Sequence, residues 1–381
     1  MNDKNEKVVE NFKPELVIHS PGRINFIGEH TDYNNGFVMP TAIDKKIVFS
    51  FKRNNSDTDC SIYSATYDKM LTIDLENVTP SDKEWENYIL GVLNEISKIT
   101  RKVKGFDCII ESQLPIGAGI SSSAALECGL AYGLNEIFNL GLSKIDIVAL
   151  SQRAEHTYVG TKCGIMDQFS SVMSEDKKVI LLDCKSQEHR FVDASFDPYK
   201  ILLLNTNVSH NLASSEYNTR REECEEVVKI VSSSYPQIKS LRGITKNMLD
   251  EFKNELTDTL YQRAHYVIEE NGRVLQASES LDNGDLVQFG KLMYQSHRGL
   301  QHQYKVSCPE LDFLVDFSED YDGIIGSRMM GGGFGGCTIN LIHPDSIDEY
   351  LTKVKKAYKN KFDIELTSFI TVPSKGTSIQ A

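Results

Sequence analysis

Apolar residues recur along this chain with two periods, and the periods separate strands from helices. In "KKIVFSFKR" (45–53), "CSIYSAT" (60–66) and "FDCIIES" (106–112), β-branched and aromatic residues crowd short runs, which predicts strands. Between them Trp85, Tyr88, Ile89, Val92, Leu93, Ile96 and Ile99 fall three and four apart, the spacing of an amphipathic helix. A helix near 143–158 is expected to open at Ser143, with Asp146 three residues on. Two more β-type runs, "KKVILLDC" and "KILLLNTNV", lead to a domain boundary expected near residue 205. From 209 to 320 the pattern turns helical, in "SSEYNTRREECEEVVKIV", "LYQRAHYVIEENGRVLQA" and "LVQFGKLMYQSH". Then "DGIIGSRMMGGGFGGCTINLIHP" (322–344) reads as strand, glycine turn, strand, before a helix (346–361) and a short strand (367–372). Helices and strands segregated in this way favour an α+β second domain over a doubly wound one.

Length agrees with two domains, since 381 residues exceed the roughly 150 of a typical one. Acidic side chains outnumber basic ones by 54 to 41, a net charge of −13, so the long-range field repels a polyanion and nucleic acid is not expected as a partner. The charged N-terminal run "MNDKNEKVVENFKPE" lacks an apolar core, and no run of about 18 apolar residues occurs. We expect no membrane contact and a cytoplasmic location. The eight cysteines form no C-x-x-C and no zinc spacing with histidine, which reads as reduced thiols and not a metal site.

The candidate chemistry lies in four stretches. "LPIGAGISSSAALECGLAYGL" (114–134) joins a glycine turn to three serines and an apolar run. It can be a strained strand-to-helix turn capped by serines. A dinucleotide fingerprint fits poorly, because Ser122 stands at its third glycine and Glu136 sits inside the helical pattern. It can also be a phosphate cradle of backbone N–H groups at a helix N-terminus, though not of the Walker form, since no lysine follows the glycines. In "SPGRINFIGEHTDYNNGFVMP" (20–40), Arg23, Glu29, His30, Asp32 and Tyr33 alternate with Ile24, Phe26 and Ile27. Polar groups held against an apolar wall need partners, and a sugar supplies them. "AEHTYVGTKCGIMDQF" (154–169) puts Glu155 at a helix end and Asp167 in a glycine-flanked turn, each either a cap or a working carboxylate. "GGGFGG" (331–336) precedes a β-type run, so it is expected to be a hairpin loop pressed close to another backbone or a ligand.

In their order, "PGRINFIGEHTDYNNGFVMP", "PIGAGISSSAA", "CGIMDQF" and "MMGGGFGGCT" resemble the signature motifs of the GHMP sugar and isoprenoid kinases, and the first resembles those of the galactokinases among them. The likeness extends through "WENYILGV", "LLDCKS", "NTNVSHNLASSEYNTRREECEE" and "SHRGLQHQYKVSCPELDFLVD". It implies two α+β domains, 1–205 (mixed α/β) and 206–381 (helices plus antiparallel sheet), with the active site in the cleft between them. It implies that Arg23, Glu29, His30, Asp32, Gly164, Asp167 and Tyr217 surround galactose, with Asp167 and Arg23 catalytic. It assigns Gly117, Ala118, Gly119, Ile120, Ser121, Ser122 and Ser123 to the ATP phosphates, Trp85 and Tyr88 to the adenine, and Ser123 and Glu155 to Mg²⁺. The implied reaction is ATP-dependent phosphorylation of galactose at the C1 hydroxyl, by a monomer. Its alternatives are an N-acetylgalactosamine kinase and a silent galactose and ATP sensor. Two residues depart from the pattern: Ile120 stands in place of leucine, and Met330 in place of threonine or serine.

Overall fold

The computed structural model describes residues 12–115, 117–208 and 213–380; most of the charged N-terminal run, Ile116 and residues 209–212 lie outside them. Strands β1 (Leu16–Asn25), β2 (Phe37–Val38), β3 (Pro40–Arg53), β4 (Asp59–Ser64), β5 (Lys69–Asp74) and β6 (Phe106–Ser112) open the fold. All but β2 share one sheet, in the order β1-β3-β6-β4-β5, antiparallel except where β4 runs parallel to β6. Helices α1 (Glu84–Ile99), α2 (Ser122–Phe138), α3 (Lys144–Ala154) and α4 (Met166–Met173) follow. Of these, α2 and α4 pack directly on β1 and β3. The helix α2 seats closely because Gly129 and Gly133, one turn apart, carry no side chain: a Cβ at either would lie within 2.9 Å of the Phe49 or Phe51 ring. Ser143 caps α3 with Asp146 in the reciprocal box that the spacing predicts.

Strands β7 (Lys178–Asp183) and β8 (His189–Asp193) join β2 in a small sheet. After β9 (Lys200–Asn205) come the helices α5 (Ala213–Ser232), α6 (Lys246–Glu251), α7 (Asp258–Asp282), α8 (Leu286–Gly299) and α9 (Pro309–Glu319). Then β10 (Ile324–Met329), β11 (Cys337–Ile342), α10 (Ile347–Phe362) and β12 (Thr367–Thr371) complete an antiparallel sheet, β10-β11-β9-β12. Last, β13 (Pro373–Ser374) and β14 (Ser378–Ile379) return to pair with β3 and β1.

The strand pairing runs across the division expected at 205. β9 belongs to the second sheet, paired with β11 and β12, and the last strands belong to the first. Ile201 and Leu203 share a core with Ile24 and Phe26, so one apolar cluster runs across the expected division. No described helix is long and apolar enough to cross a membrane.

Candidate active site

The loop after β1 carries Glu29, His30 and Asp32 into the interior, and distant residues hold its backbone there. Glu270 on α7, fully buried, accepts the Gly28 N–H at 2.9 Å, and Asn271 Oδ1 accepts the Phe37 N–H at 2.8 Å. The Tyr266 hydroxyl donates to the Glu29 carbonyl at 3.0 Å. Three backbone groups in and beside the loop are thus satisfied from other elements.

Arg23, Glu29, His30, Asp32, Asp167 and Tyr217 line one cavity of about 260 Å³, and Glu155, Cys163 and Gly331 to Gly333 share its wall. Arg23 forms a fork on Asp167: Nε donates to Oδ1 at 2.7 Å and Nη2 to Oδ2 at 2.9 Å. Its Nη1 donates to the Gly119 carbonyl at 2.8 Å, tying the fork to the glycine loop. The Ser121 hydroxyl donates to the same Asp167 Oδ2. Gly164 does not donate a group but makes room, since a Cβ there would lie within 2.7 Å of the Asp32 Oδ2, Cγ and Cβ atoms.

Burial governs the charges in this cavity. It pushes the Asp32 carboxyl up to about 7, with the Asp167 carboxylate adding to the effect. It pushes the His30 imidazole down to about 3, so His30 is neutral at ordinary pH; its Nδ1 meets the Tyr33 hydroxyl at 2.9 Å. Glu29 is raised by burial and drawn partly back by Arg328, whose Nη1 lies 3.4 Å from Oε1, while the Gly331 N–H donates to that oxygen at 2.9 Å. The result is a cavity rich in carboxylate acceptors with a neutral imidazole and a phenol, a lining suited to an uncharged polyol.

A second cavity of about 480 Å³ opens beside it, lined by Trp85, Tyr88, Gly117, Ser122, Ser123 and, from the turn after β4, Tyr67. Gly117, Gly119 and Ser121 all have positive φ, which swings the chain sharply into the N-terminus of α2. No serine side chain caps that helix, so the capping alternative is not realised. The side chains of Ala118 and Ile120 are buried, and Ile120 contributes its carbonyl to the Arg23 N–H at 3.1 Å. The GGGFGG hairpin lies against this loop as expected, with a Cβ at Gly331 coming to 3.0 Å from the Gly119 carbonyl oxygen. Met330 is buried there, and its sulfur accepts the Asn25 N–H at 3.4 Å.

Between the cavities Glu155 opens a π-turn after α3, buried and pushed up to about 7 by that burial and by Asp167. The Ser123 hydroxyl reaches it, and Gln168 Nε2 donates to its Oε2 at 2.7 Å. Asp167, expected in a turn, instead sits in the first turn of α4. Sequence pattern did not point to Glu270, Asn271 or Arg328, nor to Tyr304, whose hydroxyl meets that of Tyr33 at 2.7 Å. Their only signal was polar character inside helical or strand patterns, which does not say what lies opposite.

Comparison with known proteins bears on these features. The GHMP kinases N terminal domain matches residues 87–175, the galactokinase galactose-binding signature residues 6–53, and the GHMP kinases C terminal domain residues 277–360. The galactokinase of Thermosipho africanus is 41% identical over 363 residues, 95% of this chain and 99% of its own. That of Clostridium acetobutylicum is 39% identical over 377 residues, 97% of this chain and 96% of its own. The structure of Lactococcus lactis galactokinase complexed with galactose matches with a TM-score of 0.93 at 33% identity, covering 98% of each chain. A Methanococcus jannaschii mevalonate kinase, at 20% identity and a TM-score of 0.64 over 94% of this chain and 98% of its own, shares the fold.

Proposed function

This chain belongs to the galactokinases of the GHMP kinase family, and on that premise we propose that it transfers the γ-phosphoryl group of ATP to the C1 hydroxyl of D-galactose, releasing galactose 1-phosphate and ADP. One observation carries the reading: the fork of Arg23 on Asp167, tied to Gly119, joins the carboxylate-lined cavity to the glycine-serine loop.

Asp167 accepts the hydrogen of the C1 hydroxyl and orients its oxygen toward the phosphoryl group. Both carboxylate oxygens are engaged by Arg23, yet a carboxylate has about four lone-pair positions, which leaves capacity for the substrate. Arg23 balances the charge that develops, and Glu29, His30 and Asp32 supply the contacts that choose among sugars. A site built to bond a hydroxyl in one configuration can reject the epimer that points it elsewhere by a factor on the order of 10⁴. The carboxylate-rich wall disfavours an acid such as mevalonate by like-charge repulsion.

The backbone N–H groups at the start of α2 suit the ATP phosphates, because a helix N-terminus is an anion site. Trp85 and Tyr88 would pack on the adenine. Ser123 and Glu155 would hold the Mg²⁺ that accompanies ATP. Such an ion takes one or two carboxylates plus substrate phosphates, and the under-neutralised, buried Glu155 fits that donor set. When bound, the ion neutralises phosphate charge. The unpaired cysteines, seven of them buried, support a reducing, cytoplasmic setting.

The test is ADP release in a coupled assay with Mg-ATP and, separately, galactose, N-acetylgalactosamine, glucose and mevalonate. Release with galactose and not with glucose or mevalonate is expected. Silence with galactose despite measurable binding would overturn the enzymatic reading, and equal release with N-acetylgalactosamine would overturn the sugar assignment.

A further inference from the structure

We propose that Thr377, near the far end of the chain, is a positioning residue for phosphoryl transfer: its hydroxyl bridges Ser20 and Ser171 and so sets the spacing between the strand that carries Arg23 and the helix that carries Asp167. The proposal rests on the reading of that pair as catalytic.

Ser20, Ser171 and Thr377 are almost wholly buried. Thr377 Oγ1 donates to the Ser171 carbonyl at 2.9 Å, which leaves it to accept from Ser20 Oγ, also at 2.9 Å. Arg23 lies three positions after Ser20 on β1, and in a regular strand that odd spacing would put the two side chains on opposite faces. The register of β1 against β3 shifts between Pro21 and Arg23, and this bulge turns both toward α4. On α4, Ser171 lies four residues after Asp167, one helical turn along the same face. Strand and helix are thus joined by Arg23 to Asp167, by the Ser171 hydroxyl donating to the Pro21 carbonyl at 2.9 Å, and by Ser20 to Ser171, whose hydroxyls lie 3.4 Å apart and which Thr377 bridges.

The tail also terminates the helix. The Thr377 N–H donates to the Ser171 carbonyl and the Gly376 N–H to the Ser174 carbonyl, both at 2.7 Å. They satisfy carbonyls that an α-helix leaves without internal partners. A Cβ at Gly376 would lie within 2.7 Å of the Val172 carbonyl group, so the approach is as close as glycine permits. An eight-residue helix has little stability alone, so what ties its end decides where its start, with Asp167, is held.

The experiment compares the wild type with Thr377→Val, Thr377→Ser and Ser20→Ala by single-turnover phosphoryl transfer, and by calorimetric galactose binding. Thr377→Val keeps the shape and removes the bridge. It should slow transfer roughly ten- to a hundredfold, the scale of a displacement of up to an ångström, with galactose affinity unchanged. Thr377→Ser should transfer like the wild type, and Ser20→Ala should fall in the same direction as Thr377→Val. Wild-type transfer by a folded Thr377→Val, equal losses in the Val and Ser variants, or parallel losses of affinity and rate would each overturn the proposal. Should Thr377→Val not fold, Ser20→Ala decides by the same criteria. A wild-type protein that binds galactose yet transfers nothing overturns the underlying site reading, a result distinct from these.

Discussion

Replacing Gly164 with alanine tests whether the position of Asp32 governs sugar recognition. The backbone at Gly164 lies outside the left-handed region, so alanine can adopt it, and any effect comes from the added methyl. That methyl would lie within 2.7 Å of three Asp32 side-chain atoms, well inside van der Waals contact. Asp32 is 7% exposed and walled in, so it must swing aside by about an ångström. Overpacking of this kind costs about 1–3 kcal/mol. Displacing a positioning group by about 1 Å costs up to roughly 10²-fold in rate. We expect kcat/KM for galactose to drop roughly ten- to a hundredfold, with the KM for ATP unchanged, because neither Asp32 nor Gly164 lines the second cavity, proposed for the nucleotide. Steady-state kinetics with each substrate varied in turn will measure it. The same substitution in an Asp32→Ala background should add little, since the obstacle is gone. Wild-type galactose kinetics in Gly164→Ala, or an equal cost in both backgrounds, would refute the reasoning.

Three further outcomes are expected. Asp167→Asn should lower kcat by roughly 10²–10⁴-fold, the usual worth of a positioned base, and lower the melting temperature as well, since it leaves the buried Arg23 guanidinium without its carboxylate; turnover near wild type in the ADP assay would end its catalytic assignment. Asp32 titrates at about 7 in the fold against an ordinary 3.8, so folding takes up a proton between those values. Its stabilising contribution is present toward the lower value and lost as pH rises through about 7. Asp32→Asn, which never ionises, should therefore gain in melting temperature over the wild type as pH rises from about 5 to 7 and hold that lead above it, and a constant difference across that rise by calorimetry would contradict the shift. Trp85 is the single tryptophan and lines the cavity proposed for the nucleotide, so Mg-ATP should change the intrinsic fluorescence while galactose alone leaves it nearly unchanged. An emission indifferent to ATP would remove Trp85 from that site.

Much of the fold was legible because it rests on local pattern. The strands at 45–53 and 106–112, the helix facing inward through Ile89, Val92 and Ile96, and the Ser143 box all follow from periods and spacings within a few residues. The helix α4 was not, because glycines around 160 and 164 signal a turn and no side chain caps its start; it exists because Phe169 and Val172 bury against β1 and β3. The return of residues 373–379 to the first sheet was not legible either, for a related reason: nothing inside them says where they pair.

The site divides in the same way. Its motifs named Arg23, Glu29, His30, Asp32, Asp167 and Tyr217, and the fold gathers all six around one cavity. What each one touches was decided only by chain closure. Arg23 meets Asp167 across 144 positions, and Gly28 meets Glu270 across 242. Ser121, grouped by its motif with the serines expected at the phosphates, turns its hydroxyl to Asp167. The sequence by itself determined which residues are apolar enough to be buried and which carry the chemistry, because hydrophobic period and motif are properties of neighbours along the chain. The tertiary structure decided the charge state of Asp32 and the neutrality of His30. Desolvation and opposing charge depend on what surrounds a group in space, and those surroundings come from strands and helices hundreds of residues apart.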